Sequence, residues 1–272
     1  MYKNNSVKIR LLLLAALIVL LLLPAIFAEH ITPFDPYAQD LSIALQPPDD
    51  VHWLGTDRYG RDLLSRVIVG ARSTVLTSLL LVVSVSCMGT LLGIVCGYIG
   101  GRVDSIVMRI ADLFLAFPGM VFAIAIAGIL GGGILNAVLA LACISWPKYT
   151  RLARSQTLHI KNMPYIAAAR LSGSTTRRII LRHILPNISG MIVVTAALDV
   201  GTVMMELAGL SFLGLGAMPP AAEWGAMMSN GRSMLQTAPW VILAPGCAIF
   251  VSVVLFNLLG DTLRDWLDPR MN

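Results

Sequence analysis

Residues 164–187 read PYIAAARLSGSTTRRIILRHILPN, and the fold is decided by what such a stretch is doing in this chain. From Ala169 to Asn187 it holds four arginines and a histidine but no acid, and it lies between long apolar runs. The 272 residues are 57% hydrophobic and only 13% charged, with a mean hydropathy of +0.78. A soluble domain carries about 25% charged residues. The apolar residues are gathered in blocks that suit a hydrocarbon core of about 30 Å crossed at about 1.5 Å per residue. The chain therefore reads as an all-α polytopic membrane protein, and the basic stretch as one of its loops.

Working outward from that loop, six blocks are long enough, or nearly so, to span: 11–28, 75–99, 106–130, 133–147, 187–209 and 239–260. The first follows Lys3, Lys8 and Arg10, as a signal peptide would. Its apolar part exceeds a usual signal core, however, and Ile26 spoils a small-x-small cleavage site, so it is read as a retained first span. Placing the N-terminus inside puts fifteen of the 20 lysines and arginines on the cytoplasmic side, and only Arg58, Arg61, Arg66, Arg72 and Arg232 outside. The positive-inside rule then places both termini in the cytoplasm. It also makes 148–186, between the fourth and fifth spans, a long inside loop; no Asp or Glu occurs from Leu113 through Leu198.

Two outside segments are more than turns. Residues 29–73 end in an amphipathic helix whose stripe is Leu63, Leu64, Val67, Ile68 and Ala71, expected to lie along the interface before the second span. Residues 210–238 mix Gly, Pro and apolar residues, the texture of a re-entrant or surface helix packed on protein, because irregular backbone facing lipid leaves amides unpaired. The organisation expected is 1–73 as tail, first span and outside amphipathic segment, then 74–272 as the main transmembrane domain.

Topology alone explains the charge of the basic loop but not its order. The stretch divides into "YIAAARLS" and "TTRRIILRHIL", separated by Gly173, where a positive φ or a close backbone approach is allowed. Ser174, Thr175 and Thr176 are N-cap candidates for the second piece, which Pro186 should end. This helix–Gly–cap–helix hairpin resembles the "EAA" loop of binding-protein-dependent ABC importer permeases, with AA-x-x-x-G followed by "H-x-LPN". "LGTDRYGRD", "GGRVD", "ADLFLAFP", "LSFLGLG", "EWG" and "NLLGDTLRDWLDP" are similar to motifs of the dipeptide, oligopeptide and nickel branch, from about residue 53 to the end.

That resemblance implies a type I permease fold with about six transmembrane helices, in a bacterial cytoplasmic (inner) membrane. It also implies a second homologous permease as heterodimer partner, two ATPase subunits inside and a substrate-binding protein outside. The first helical piece would be the coupling helix, with Tyr165, Ala168, Ala169, Arg170, Gly173 and Ser174 in the ATPase-coupling loop. Asp57, Arg61, Asp62, Glu223 and Trp224 would be binding-protein contact candidates on the outer face. The family glutamate is replaced by Ala167, which removes any role carried by that carboxylate. The "GGRVD" turn and the C-terminal "GDTLRDWLDPRMN" are expected near the inner surface, with Asp261, Arg264 and Asp265 able to pair.

No phosphate-binding G-x-x-x-x-G-K-[ST] loop occurs, and Gly131-Gly132-Gly133 lacks the lysine, so the energy is expected from partner ATPases. No HExxH or GxSxG motif suggests an enzyme. His30, His52, His159 and His183 are split across the membrane. Cys87, Cys96, Cys143 and Cys247 lack metal-site spacing and are expected to be buried packing residues. Neither cofactor, resident metal nor nucleic acid is implied. The rival class, an ion-driven secondary transporter, would place ionisable groups at mid-membrane and often show an internal repeat.

Three acids fall within spans. Asp112 has Arg109 as an i, i+3 neighbour for an ion pair. Asp199 and Glu206 stand seven apart, nearly two turns, on one face of the fifth span, with Met205 as a loose neighbour. The resemblance makes that span line the translocation path, where two carboxylates favour a cation. Nickel, free or chelated, is the leading substrate on this reading, with di- or oligopeptides the alternative.

Overall fold

The computed structural model describes residues 2–267. Among them nine helices of eight residues or more follow in order: α1 (Tyr2–Ile31), α2 (Leu63–Ile99), α3 (Gly101–Leu115), α4 (Gly119–Ile129), α5 (Ile134–Lys161), α6 (Pro164–Leu171), α7 (Thr176–Phe212), α8 (Trp224–Gly231) and α9 (Trp240–Leu267). By length and composition α1, α2, α7 and α9 can cross a membrane, and the bent pair α3–α4 can count as a fifth crossing. Helix α5 is as long as α9, but its C-terminal half is basic.

Where helices differ from the sequence-based expectation, local chemistry gives the reason. The third block is not one span: α3 and α4 meet at 91°. Pro118 lacks an N–H and is extended (φ −59°, ψ 117°), so the first helix stops and Gly119 starts the next. The amphipathic segment expected at the interface is instead the first two turns of α2. A π turn at Arg72–Leu76 absorbs one residue without breaking the helix, so the boundary expected at 73/74 falls inside it. Pro186 does not end the second loop piece either. It sits just after another π turn, Ile180–Ile184, where the Leu185 N–H donates to the Ile180 carbonyl, and α7 runs unbroken from Thr176. Residues 268–272 of the C-terminal motif lie outside the described residues.

Packing is set by small residues. Gly89, Gly93 and Gly97 recur every four residues on α2 and face α5. A Cβ on Gly93 would stand 2.4 Å from the Thr150 carbonyl oxygen and 2.7 Å from the Ala153 Cβ. On Gly97 it would stand 2.8 Å from the Thr157 Cβ. The two backbones touch, the arrangement that small-xxx-small spacing makes possible in lipid. Helix α1 packs against α9 and α2, burying Ala25 and Ala28 completely. Helix α8 is the protein-packed element expected in 210–238: Trp224, Gly225, Ala226 and Met227 are buried between α7 and α9.

Candidate functional site

The basic loop folds as a hairpin. Helix α6 begins at Pro164, whose missing N–H costs nothing at a first helical position. It ends in a Schellman turn: the Ser174 N–H donates to the Ala169 carbonyl (3.0 Å) and the Gly173 N–H to the Arg170 carbonyl (3.0 Å). Gly173 has φ +79°, the left-handed conformation expected there. Of the three cap candidates, Thr175 caps α7, its Oγ1 accepting from the Arg178 N–H. Buried Ile166, Ile179 and Ile184 fasten the underside. The Tyr165 and His183 rings, 6.2 Å apart, close the hairpin.

What remains outward is one surface. Leu171 is 91% exposed and Tyr165 44%, with Ala168, Arg170, Arg177, Arg178 and Arg182 beside them. Ala167 is exposed too, so the missing carboxylate leaves no hole within this chain. Arg170 also leans over the Tyr98 ring, 5.5 Å from its centroid, and the Lys161 Nζ donates to the Tyr98 carbonyl (2.5 Å). The ends of α2 and α5 are thereby tied to the root of the hairpin.

A second assembly lies deeper, where α2, α5, α7 and the α3–α4 bend enclose a cavity of about 200 Å³. The Asp199 carboxylate is fully engaged: Lys148 Nζ donates to Oδ1 (2.5 Å) and Tyr149 Oη to Oδ2 (2.8 Å). The sequence places Lys148 in the cytoplasmic loop, but α5 continues through Pro147 and turns it toward α7. A bare carboxylate at mid-bilayer costs on the order of 2.5–3.5 kcal/mol, which explains why Asp199 is paired. Glu206 lines the same cavity, but its carboxylate takes part in no hydrogen bond or ion pair among the described residues. Met205 is 56% exposed on another face and does not line it, because adjacent helical residues point about 100° apart. The neighbour expected between the two acids is thus corrected to Lys148 and Tyr149.

The outer candidates are buried: Asp57 and Arg61 are 6% exposed, Asp62 3%, Trp224 1% and Glu223 0%. Their side chains hold loops in place and offer no surface, which corrects the expectation of direct contact. The Asp57 carboxylate accepts from Arg61 Nε (2.7 Å) and from the Tyr59 and Arg61 N–H groups, with Arg66 at 3.6 Å. Asp62 caps α2 through the Ser65 N–H (2.7 Å) and meets His52 Nδ1 (2.9 Å). A Cβ on Gly60 would fall 1.7 Å from the Asp40 carbonyl oxygen, so "LGTDRYGRD" closes only with glycine there. In "EWG", the Glu223 carboxylate accepts from the Gly225 and Ala226 N–H groups and from Thr74 Oγ1 (3.2 Å). Trp224 Nε1 donates to the Val67 carbonyl (2.9 Å). The motif locks the segment after α7 onto the π turn of α2.

Other expectations are redistributed. Asp112 pairs with Arg151 of α5 instead of Arg109, and Arg154 grips Asp104 through two bonds (2.5 and 2.6 Å). Basic residues of α5 therefore staple α3 against it. No ion pair joins Asp261, Arg264 and Asp265 among the described residues. Cys96 alone of the four cysteines is buried; Cys87, Cys143 and Cys247 lie on outer helix faces. No group of three or more His, Cys, Asp or Glu able to hold a metal exists among the described residues.

The comparisons with known proteins match this architecture. The family model described as "Binding-protein-dependent transport system inner membrane component" matches residues 89–272. The chain is 44% identical to the probable D,D-dipeptide transport system permease protein DdpC of Escherichia coli (strain K12), covering 94% of this chain and 86% of that one. It is 40% identical to the nickel transport system permease protein NikC of the same strain, covering 98% and 95%. Among solved structures, an inward-facing conformation of the MetNI methionine ABC transporter superposes with a TM-score of 0.55 at 20% identity, over 72% of this chain and 95% of that one, a likeness of fold. The chain belongs to the family of binding-protein-dependent transport system inner membrane components, as a multi-pass permease subunit of an ABC importer.

Proposed function

We propose that this permease imports short peptides across a bacterial cytoplasmic membrane, driven by ATP hydrolysis on partner subunits that grip the α6 hairpin from inside. The single observation that carries the ATP-driven importer reading is the hairpin. A Schellman turn at Gly173 holds α6 and Leu171 outward on a surface with four exposed arginines and no acid. Both termini and this loop face the cytoplasm, a second permease completes the path, and a binding protein delivers substrate to the outer face. With Asp57, Arg61, Asp62, Glu223 and Trp224 buried, the delivering surface is built from the residues they position.

Peptide takes precedence over nickel because Lys148 and Tyr149 satisfy Asp199, the carboxylate that favoured a metal cation. Nickel stands as the second reading on a specific observation: Glu206 remains an unmatched carboxylate in the same cavity. The deciding experiment reconstitutes the complete importer in liposomes and follows ATP-dependent uptake of labelled alanyl-alanine and of Ni²⁺. Dipeptide uptake that requires ATP supports the proposal. Nickel uptake alone supports the second reading, and uptake driven by an ion gradient without ATP refutes both.

A further inference from the structure

We infer that the cavity between α5 and α7 is a recognition site for the charged ends of the substrate, with Glu206 taking the ammonium group and Lys148 facing the carboxylate. The inference rests on the peptide reading above and adds the residues that select it. Its walls carry one cation, Lys148, and two anions, Asp199 and Glu206, so one negative charge lacks a counterpart among the described residues. The charges are not equivalent. Asp199 has both oxygens occupied and a side chain only 12% exposed, whereas the Lys148 side chain is 54% exposed. Asp199 with Tyr149 is the fixed support; Lys148 is the part able to turn.

Spacing agrees with a short zwitterion. Lys148 Nζ is held 2.5 Å from Asp199 Oδ1, so the ammonium and the Glu206 carboxylate belong to α7 positions seven residues apart, a rise of about 10.5 Å. An extended dipeptide spans about 7 Å, and charge-assisted contacts of about 2.8 Å at each end bring the total to roughly 12–13 Å. Between the charged ends the wall is mostly apolar, with Val82 and Val85 of α2 and Ile144 of α5, and Ser145 and Thr202 add two hydroxyls. Gly119, at the α3–α4 bend, completes the wall beside Ile144, whose Cδ1 would lie 3.5 Å from an added Cβ. A substrate with a blocked amine would leave Glu206 without a partner, and it is on that group that the site discriminates.

The test uses the assembled importer in liposomes, with binding protein saturated by each probe so that the readout is turnover after delivery. Wild type, Glu206→Gln and Glu206→Asp are compared on alanyl-alanine, N-acetyl-alanyl-alanine and Ni²⁺, with co-purification of the ATPase subunits verifying assembly. The expected result is a fall of tenfold or more in alanyl-alanine turnover for Glu206→Gln, partial recovery in Glu206→Asp, and no further fall for the acetylated probe. An equal fall on both dipeptides, or none, overturns the inference while leaving the peptide reading intact. Loss of Ni²⁺ uptake with dipeptide uptake unchanged overturns it in favour of a metal at Glu206. A wild-type importer that moves no dipeptide refutes the peptide reading itself, and this inference with it.

Discussion

Replacing Gly93 with alanine tests the central packing claim, because the structure fixes what the new methyl group meets. It would lie 2.4 Å from the Thr150 carbonyl oxygen, 2.7 Å from the Ala153 Cβ and 2.9 Å from the Arg154 N. A carbon normally keeps about 3.3 Å from a carbonyl oxygen, so α2 and α5 would have to part by roughly 1 Å. Two of the three obstacles are helix backbone, which cannot swing aside as a side chain would. Overpacking of this kind costs about 1–3 kcal/mol. The substitution also gains about 1 kcal/mol of helix propensity, which obscures the result if Gly93→Ala is measured alone. Gly190→Ala removes that ambiguity. Gly190 lies inside α7, and its nearest neighbour to an added Cβ is a Leu267 methyl at 3.6 Å, an ordinary contact. The propensity gain cancels between the two variants and the full 1–3 kcal/mol should remain, about 2–12 °C in melting temperature. Both proteins, purified in the same detergent, are melted by tryptophan fluorescence. If Gly93→Ala melts at or above Gly190→Ala, the backbones do not touch at this point.

Two further substitutions separate coupling from construction. Gly173→Leu forces a side chain into φ +79° at a cost of about 1–2 kcal/mol, yet nothing lies within 4 Å of the new Cβ. Membrane insertion and expression should stay normal while ATP-driven uptake falls at least tenfold; normal uptake at normal expression would argue against docking at α6. Glu223→Ala strips the cap from α8 and orphans two buried N–H groups, a loss of about 2–3 kcal/mol, whereas Ser229→Ala removes one exposed hydrogen bond, to the Phe212 carbonyl, worth about 1 kcal/mol. Limited proteolysis between α7 and α8 should therefore be faster for Glu223→Ala than for Ser229→Ala, and the reverse order would contradict the latch.

The hairpin is legible in the sequence because its signals are local. A glycine past the last periodic residue, a run of cap-forming Ser and Thr, and basic charge without acid all act within ten residues. The outer motifs mislead for the opposite reason. Charged residues in a loop suggest exposure, but Arg61 and Arg66 both serve Asp57, and Arg66 also donates to the Pro36 carbonyl, 30 residues away. Glu223 finds Thr74 across 149 residues. Such pairings depend on the assembled fold and leave no periodic trace. The two π turns are equally silent, since RSTVL and ILRHI have ordinary helical composition. One signal was present in the sequence and decisive: the four-residue spacing of Gly89, Gly93 and Gly97 marks the face on which α2 meets α5.

That contact also bears on how the hairpin connects to the cavity. Helix α6 is flanked by α5 on one side and α7 on the other, so a pull on it acts on both. Along α5 the distance from Lys161 to Lys148 is thirteen residues, about 20 Å of helix. Along α7 it is 23 residues from Thr176 to Asp199, about 35 Å. Among the described residues the side-chain hydrogen bonds that join these helices are those from Lys148 and Tyr149 to Asp199. Because the glycine row clamps α5 to α2, and Arg154 and Arg151 clamp α3 to α5, these helices resist separation on that side. If the proposed pull on α6 spread α5 from α7, the side-chain hydrogen bonds it would strain are those at Asp199. On the proposed coupling that polar link would carry the load, and the cavity lined by Lys148, Tyr149 and Asp199 lies directly beside it.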